Sequence, residues 1–252
     1  MTSLEILAYE PTSLGTLCLR RRELISKPGT MVTEVTLNHE FLMSSYLTES
    51  ERVLCSSGLR RVNSMPNLPD GGLKVLVGGL GLGYTANEAL KSSEVSHVEV
   101  VEFLPEVIGW AKDGLIPLSD DLKLALDSVP PRLQITQGDI YARLTSQPST
   151  LTSGSTSKAK SGFDLIAIDV DHSPEDVLGD QSIGFYSEEG LQTASCHLSK
   201  QGVMAIWSYA ADTPLLDNMK KVFVDVEVEQ VTVFNDLINE EQTDWLFFGR
   251  RK

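Results

Sequence analysis

Val75-Leu76-Val77-Gly78-Gly79-Leu80-Gly81-Leu82-Gly83-Tyr84 is the stretch whose reading decides the fold. A short apolar run, read as a buried strand, enters four closely spaced glycines and passes directly into a helical segment, Tyr84–Lys91. Glycine suits such a connection because the chain turns tightly and the backbone must approach a ligand that a Cβ would hold off. The helix start beyond it offers unpaired N–H groups and a positive dipole end to an anionic group. A glycine-rich turn can also be a plain strand–helix connection, so its surroundings have to decide.

Outward from this stretch the pattern alternates between strands and helices. Apolar segments at 74–77, 97–102, 133–136, 163–169 and 202–207 read as buried strands, with helices at 84–91 and 105–113. Such alternation predicts a mostly parallel sheet. Segments 222–233 and 245–249 read as two closing strands joined by a polar loop, 235–244, and paired antiparallel at one sheet edge. The fold class expected is α/β, a Rossmann-like seven-stranded mostly parallel sheet of the class I methyltransferase type, preceded by a small N-terminal β domain. That domain is read from strands at 4–9, 15–20 and 31–37, with turns at Pro11, Pro28 and Gly29. A helix at 48–62 follows, with Thr48 or Ser50 as N-cap, and then a linker at 63–72 rich in proline and glycine. The domain boundaries expected are therefore 1–62, linker 63–72, and 73–252. Within the last, residues 145–161 are Ser/Thr/Gly-rich and too poor in apolar side chains to pack, so they read as a flexible insertion.

Acids recur where the strands end. Glu102 closes the second strand about 20 residues after the glycines, the spacing at which a carboxylate accepts ribose hydroxyls. Glu99 sits mid-strand. The third strand ends in Gly138-Asp139 and the fourth in Ile168-Asp169-Val170-Asp171. Any one of these aspartates could be a helix cap. Together with the glycines they would gather at one sheet edge, where ligands of open α/β sheets bind. Gly81-Leu82-Gly83-Tyr84-Thr85-Ala86 also satisfies the dinucleotide fingerprint, so a nicotinamide enzyme is the rival reading. The acids after strands three and four and the closing strand pair favour a sulfonium nucleoside.

Bulk properties narrow the partners. The 252 residues are 41% hydrophobic and 22% charged, with a formal net charge of -14, so the average surface repels nucleic acid and anionic membranes. The basic triplet Arg20-Arg21-Arg22 reads as a solvated strand end. Cys18, Cys55 and Cys196 lie far apart, as free thiols in a reducing compartment would, and the four histidines show no metal-ligand spacing, so no metal site is expected. No apolar run reaches the roughly 20 residues of a membrane span, and no signal peptide is read at 1–10. The expectation is a cytoplasmic protein.

From residue 73 to 249 the chain resembles the spermidine synthases and their methyltransferase-like relatives. The landmarks are Gly78 to Gly83, Val101-Glu102-Phe103, Gly138-Asp139, Asp164-Leu165-Ile166-Ala167-Ile168-Asp169 and Phe185-Tyr186-Ser187-Glu188-Glu189-Gly190-Leu191. The resemblance implies S-adenosyl-L-methionine or decarboxylated S-adenosylmethionine as cofactor. Gly78, Gly79, Gly81 and Gly83 would border its methionine-derived tail, Glu102 would hold the ribose and Asp139 the adenine amino group. Asp169 would face the reacting centre, beside the cofactor and acting on the acceptor. Asp171 is a second catalytic candidate with His172 beside it. Tyr186 and Trp207 lie near strand ends, where each would wall the acceptor pocket or pack the core, with core the preferred use for Trp207.

Departures accompany the resemblance. Polyamine synthases typically read GGGDGG, and this glycine loop carries no aspartate. Their Asp-x-x-Asp-Pro pattern is replaced by Asp169-Val170-Asp171-His172-Ser173-Pro174, and Ser50-Glu51-Arg52 stands near where they carry Tyr-His-Glu. On this reading methyl transfer to a small-molecule acceptor ranks ahead of aminopropyl transfer, because an acid beside the carboxylate of S-adenosylmethionine would be unfavourable. An amine acceptor is compatible with Asp169 and Asp171, and the chain is compatible with a homodimer. A non-catalytic nucleoside-binding or scaffold protein is the third alternative.

Overall fold

The central strand of the large sheet shows why the sequence folds as it does. Val75 and Val77 bury one face of β5 (Leu73–Gly78) in a core shared with α1 (Glu49–Asn63) and α2 (Tyr84–Lys91). Leu76, alternating to the other face, joins a second core with α5 (Ile140–Thr145), α6 (Glu188–Ser195) and α7 (Leu215–Val222). Burial on both faces explains the continuous apolar run, since parallel strands covered by helices have no solvent face to alternate towards. The computed structural model describes residues 4–64, 69–147, 162–170, 173–175 and 184–252. Most of the insertion expected at 145–161, together with Asp171 and His172, lies outside the described residues.

The remaining elements are β6 (Val95–Glu102), α3 (Pro105–Lys112), α4 (Ser119–Leu126), β7 (Leu133–Gln137), β8 (Phe163–Ile168), β9 (Leu198–Ser208), β10 (Val224–Asn235) and β11 (Glu240–Arg250). The seven-stranded sheet runs β10-β11-β9-β8-β5-β6-β7, with β11 antiparallel to both neighbours and the other pairings parallel. This is the sheet expected. The N-terminal β1 (Leu4–Thr12), β2 (Gly15–Glu23), β3 (Met31–Leu37) and β4 (Glu40–Ser44) form a separate antiparallel sheet in chain order.

Several elements differ from the sequence reading, each for a stated reason. β4 went unread because it is five residues long and follows a tight turn in which Asn38 and His39 both have positive φ. The polar loop expected at 235–244 is largely strand. Pairs from Asn235↔Glu240 to Val231↔Asp244 continue the ladder, and backbone pairing does not require apolar side chains. Helices α4 to α7 lie in segments assigned no element from the sequence.

α1 packs on the large sheet. Gly58 permits the approach, since a Cβ there would stand 2.7 Å from Leu165 Cδ1 of β8. Arg61 then ties this helix to the closing strands. Its guanidinium lies 3.8 Å from the Phe248 ring centroid, and it donates to Glu227 at 2.7 Å and Glu229 at 3.1 Å. Removing Arg61 with Arg61→Ala is expected to destabilise the fold by about 1–3 kcal/mol, because a half-buried cation–π contact and two charge-assisted bonds disappear together. Urea unfolding of variant and wild type measures this, and an unchanged midpoint would dismiss the tie.

Candidate functional site

β5 lies between β6 and β8, which the chain adds on opposite sides, so the crevice at their carboxyl ends is a topological switch point. The glycine loop crosses it. Gly79, with φ of +87°, has backbone that L side chains rarely adopt, and a Cβ there would stand 3.0 Å from the Asp169 carbonyl oxygen. Gly83 caps α2 at φ of +89°, where a Cβ would meet Leu122 Cδ1 at 2.9 Å. Gly79 and Gly81 line the cavity that opens here; Gly78 and Gly83 shape the loop behind it.

Glu102 fixes the loop. Its Oε2 accepts the Leu80 N–H and its Oε1 the Leu104 N–H, each at 2.8 Å, and the residue is 7% exposed. Burial pushes the carboxyl above its ordinary range, while the backbone donors at Leu104 and Leu80 oppose that shift. The backbone N–H groups of Gly81 and Phe103 oppose it as well, and the carboxyl lines the cavity, where its remaining lone pairs would face a ligand's hydroxyl donors.

Asp139 is the N-cap of α5. Its Oδ1 accepts from Tyr141 N at 2.8 Å and Ala142 N at 3.2 Å, while the residue still lines the cavity. The capping role that any aspartate at this position could have is therefore realised. Tyr186 packs edge-on against Phe185, and its hydroxyl lies 3.0 Å from that of Tyr141. Among the described residues Tyr141 lines the cavity and Tyr186 stands behind it in the core. Trp207 packs against the core and also lines the cavity.

The cavity encloses about 1190 Å³ and reaches from the glycine loop to the N-terminal sheet and the β10–β11 hairpin. Among the carboxyls that line it, three raise one another: Asp169 after β8, Glu51 in the first turn of α1 and Asp244 on β11. Asp169 Oδ2 accepts the Thr85 hydroxyl at 3.0 Å. Burial, opposed by that bond and assisted by the charge of Asp244, pushes Asp169 up to about 6. Glu51 is pushed up to about 8 by burial and then by the charge of Asp169, although the Ser50 hydroxyl donates to it at 3.3 Å. Asp244 is also raised by burial, against support for its anion from Ser50 and Trp207. The Trp207 indole N–H nonetheless has no partner of full hydrogen-bond geometry among the described residues, so its support is that of a nearby dipole. All three acids keep partial exposure, and all three sit near enough in low dielectric to resist ionising together.

Glu51 and Asp244 went unassigned in the sequence. The signals of Glu51 are its place beside a candidate N-cap and near where polyamine synthases carry Tyr-His-Glu, and neither gave it a role. Asp244 had no signal, because it lies far along the chain and reaches Asp169 only through the pairing of β11 with β9.

Comparison with solved structures matches this architecture almost throughout. A spermidine synthase in complex with the transition-state analogue AdoDATO has a TM-score of 0.65 at 17% identity, covering 98% of this chain and 74% of its own. The spermidine synthase of Thermotoga maritima gives 0.63 at 16%, covering 98% and 72%. A probable spermidine synthase of Corynebacterium glutamicum gives 0.60 at 14%, covering 98% and 79%. The fold is that of the spermidine synthases. No protein-family model matches the sequence and no curated protein is significantly similar to it, so the likeness is one of structure. Within the spermidine synthase fold, this chain carries Leu80 and Leu82 among its loop glycines and sets an acid from α1 and one from β11 beside Asp169.

The acid trio gives the protein a definite pH response. In the unfolded chain these carboxyls ionise at about 4. Folded, they keep their protons to higher pH, so the folded state binds more protons and stability falls as pH rises through about 6 for Asp169 and about 8 for Glu51. His197, which burial lowers, works in the opposite direction below its ordinary value, so a variant comparison isolates the acids. The melting temperature of Glu51→Gln is expected to rise relative to wild type as pH goes from about 5 to about 8.5. A difference that stays constant across that range would show that Glu51 ionises normally.

Proposed function

We propose that the cavity binds a sulfonium nucleoside and transfers a group from it to an amine, with aminopropyl transfer from decarboxylated S-adenosylmethionine ranked first. The observation that carries this reading is the meeting of Glu51, Asp169 and Asp244 in the cavity that the glycine loop and Glu102 border. Three carboxyls in low dielectric repel one another, and a cation among them removes both the repulsion and the desolvation penalty. The neighbouring fold points the same way, since its solved examples include a spermidine synthase holding a transition-state analogue.

The residues present fit such a cofactor. The cavity volume of about 1190 Å³ exceeds the roughly 300–1,000 Å³ of ordinary ligand pockets, which leaves room for nucleoside and acceptor together. Glu102 would take the ribose hydroxyls with its remaining acceptor capacity, and Gly79 and Gly81 would admit the tail at backbone distance. Once bound, the sulfonium supplies an electrophilic carbon.

The protein's own residues then prepare the nucleophile. An amine arrives as ammonium and attacks only after losing a proton. Thr85 occupies Oδ2 of Asp169, which leaves Oδ1 to accept that proton, and Glu51 and Asp244 would face the positive charge that the nitrogen carries before deprotonation and regains on alkylation. Trp207 and Tyr141 on the cavity wall limit water around the reacting groups.

Methyl transfer from S-adenosyl-L-methionine is the second reading. It is favoured by a glycine loop without an acid, which leaves the positive end of α2 to a carboxylate.

Calorimetric titration with both nucleosides ranks the two. Asp169→Asn is expected to keep nucleoside affinity and to lose transfer by about 10²–10⁴-fold, the range for a general base. Glu102→Gln is expected to weaken nucleoside binding by about 1.5–3 kcal/mol, the range for hydrogen bonds to a charged group. Absence of binding by either nucleoside would end the transferase reading. A preference for S-adenosyl-L-methionine of about tenfold would put methyl transfer first.

A further inference from the structure

Two arginines of the basic triplet of β2, Arg20 and Arg22, are paired with a buried acid and are not a solvated strand end. Arg20 and Arg22, two residues apart, leave the small sheet on one face, and β3 sets Glu34 opposite Arg20. Arg20 Nε donates to Glu34 Oε2 at 2.9 Å, with Nη2 2.8 Å from the same oxygen. Arg22 Nε donates to Oε1 at 2.9 Å, with Nη2 at 2.6 Å. Glu34 is 4% exposed, whereas the two arginine side chains keep 36% and 31%.

One carboxylate thus clamps two guanidiniums, and the cluster carries one uncompensated positive charge in a chain of net charge -14. Arg20, Arg22 and Glu34 all line the cavity that holds the acid trio. Leu17, Val35 and Met43, which alternate to the other face of the small sheet, line it as well, so the cavity reaches both faces past the short edge strand β4. A guanidinium has five N–H donors, and Glu34 engages only those on Nε and Nη2. Among the described residues neither head has another hydrogen-bonding partner. Structural pairing of Glu34 requires one arginine; the second is in excess, pre-set in orientation and partly open to the cavity.

We propose that Arg20 and Arg22, held by Glu34, form an oxyanion subsite of the cavity, and that the acceptor carries a carboxylate or phosphate as well as its amine. The amine half rests on the transferase reading above; the oxyanion half stands on the arginine cluster alone. A diamine would complement only the acid trio, whereas a molecule with an amine and an oxyanion complements both walls.

Two substitutions with opposite signs test the subsite without leaving Glu34 buried and unpaired. Arg20→Gln keeps the Arg22–Glu34 pair and makes the cluster neutral, and Glu34→Gln frees both guanidiniums. Inorganic phosphate, titrated by phosphorus NMR at fixed ionic strength and without nucleoside, is expected to bind about tenfold more weakly to Arg20→Gln and more tightly to Glu34→Gln. Equal affinities in all three proteins, or no binding to wild type, would overturn the subsite.

The acceptor is tested on nucleoside-loaded protein with ω-amino acids, aminoalkyl phosphates and diamines of matched chain lengths. Wild type is expected to bind one of the first two series more tightly than the diamines, the better series naming the oxyanion, and Arg20→Gln to lose that preference. A preference for diamines in wild type would overturn the proposal for the acceptor. Failure of the nucleoside to bind would end the transferase reading and leave the phosphate result standing.

Discussion

The Glu102 carboxylate, with one oxygen on Leu80 N–H and the other on Leu104 N–H, is the interaction on which the site depends. It joins the turn after β5 to the turn after β6, the two connections that flank the switch point. A buried carboxylate tolerates its desolvation only when backbone donors replace water. Because both donors belong to turns, the same bonds that satisfy Glu102 fix the course of the glycine loop. That course brings Gly79 against the Asp169 carbonyl and starts α2 at Gly83, which in turn places the Thr85 hydroxyl on Asp169. The chain from a strand-end acid to a reactive carboxyl is therefore continuous and short.

The acid trio is an electrostatic debt of the apo fold. Asp169, Glu51 and Asp244 come from three elements that are remote in sequence, and each is lifted above its ordinary range chiefly by burial. A stable core would replace such a cluster with apolar side chains, which fill the same volume without desolvation. Perturbed carboxyls in a cavity are a mark of function for this reason. Protons offset the repulsion in the free protein, and a bound cation would offset it by displacing them, so occupancy and protonation are linked at this wall.

Legibility in the sequence followed the range of the interaction. The large sheet could be read because β5, β6, β8 and β9 each carry a short cluster of buried apolar residues whose burial needs no partner to be named. Glu102 and Asp169 could be read because strand ends in an open α/β sheet converge by topology. β4 and the polar half of the β10–β11 hairpin could not, because their stability comes from backbone pairing that leaves no periodic trace. Asp244 reaches the site through strand register, and Arg20 and Arg22 looked solvated until register set Glu34 opposite Arg20. Pairwise geometry of this kind is absent from composition and spacing.

The small N-terminal sheet also acquires a physical reason. The tip of the β10–β11 hairpin is held to it by Asp236, which accepts from the Tyr46 hydroxyl and pairs with Lys27, while Lys27 lies 5.3 Å from the Tyr46 ring centroid. The base of the same hairpin is held by Arg61 on α1. Asp244 lies between these two anchors on β11, so its position against Asp169 is set from both ends. Exposed pairs such as Lys27–Asp236 contribute little to global stability, because solvent screens them. Their effect is local. They keep Asn235 and Ile238 over the cavity and keep the arginine-bearing sheet on its rim. An appended sheet that only stabilised the fold would face the main core with apolar side chains alone; this one turns Leu17, Leu19 and Val35 to the core and the Arg20–Glu34–Arg22 cluster to the cavity.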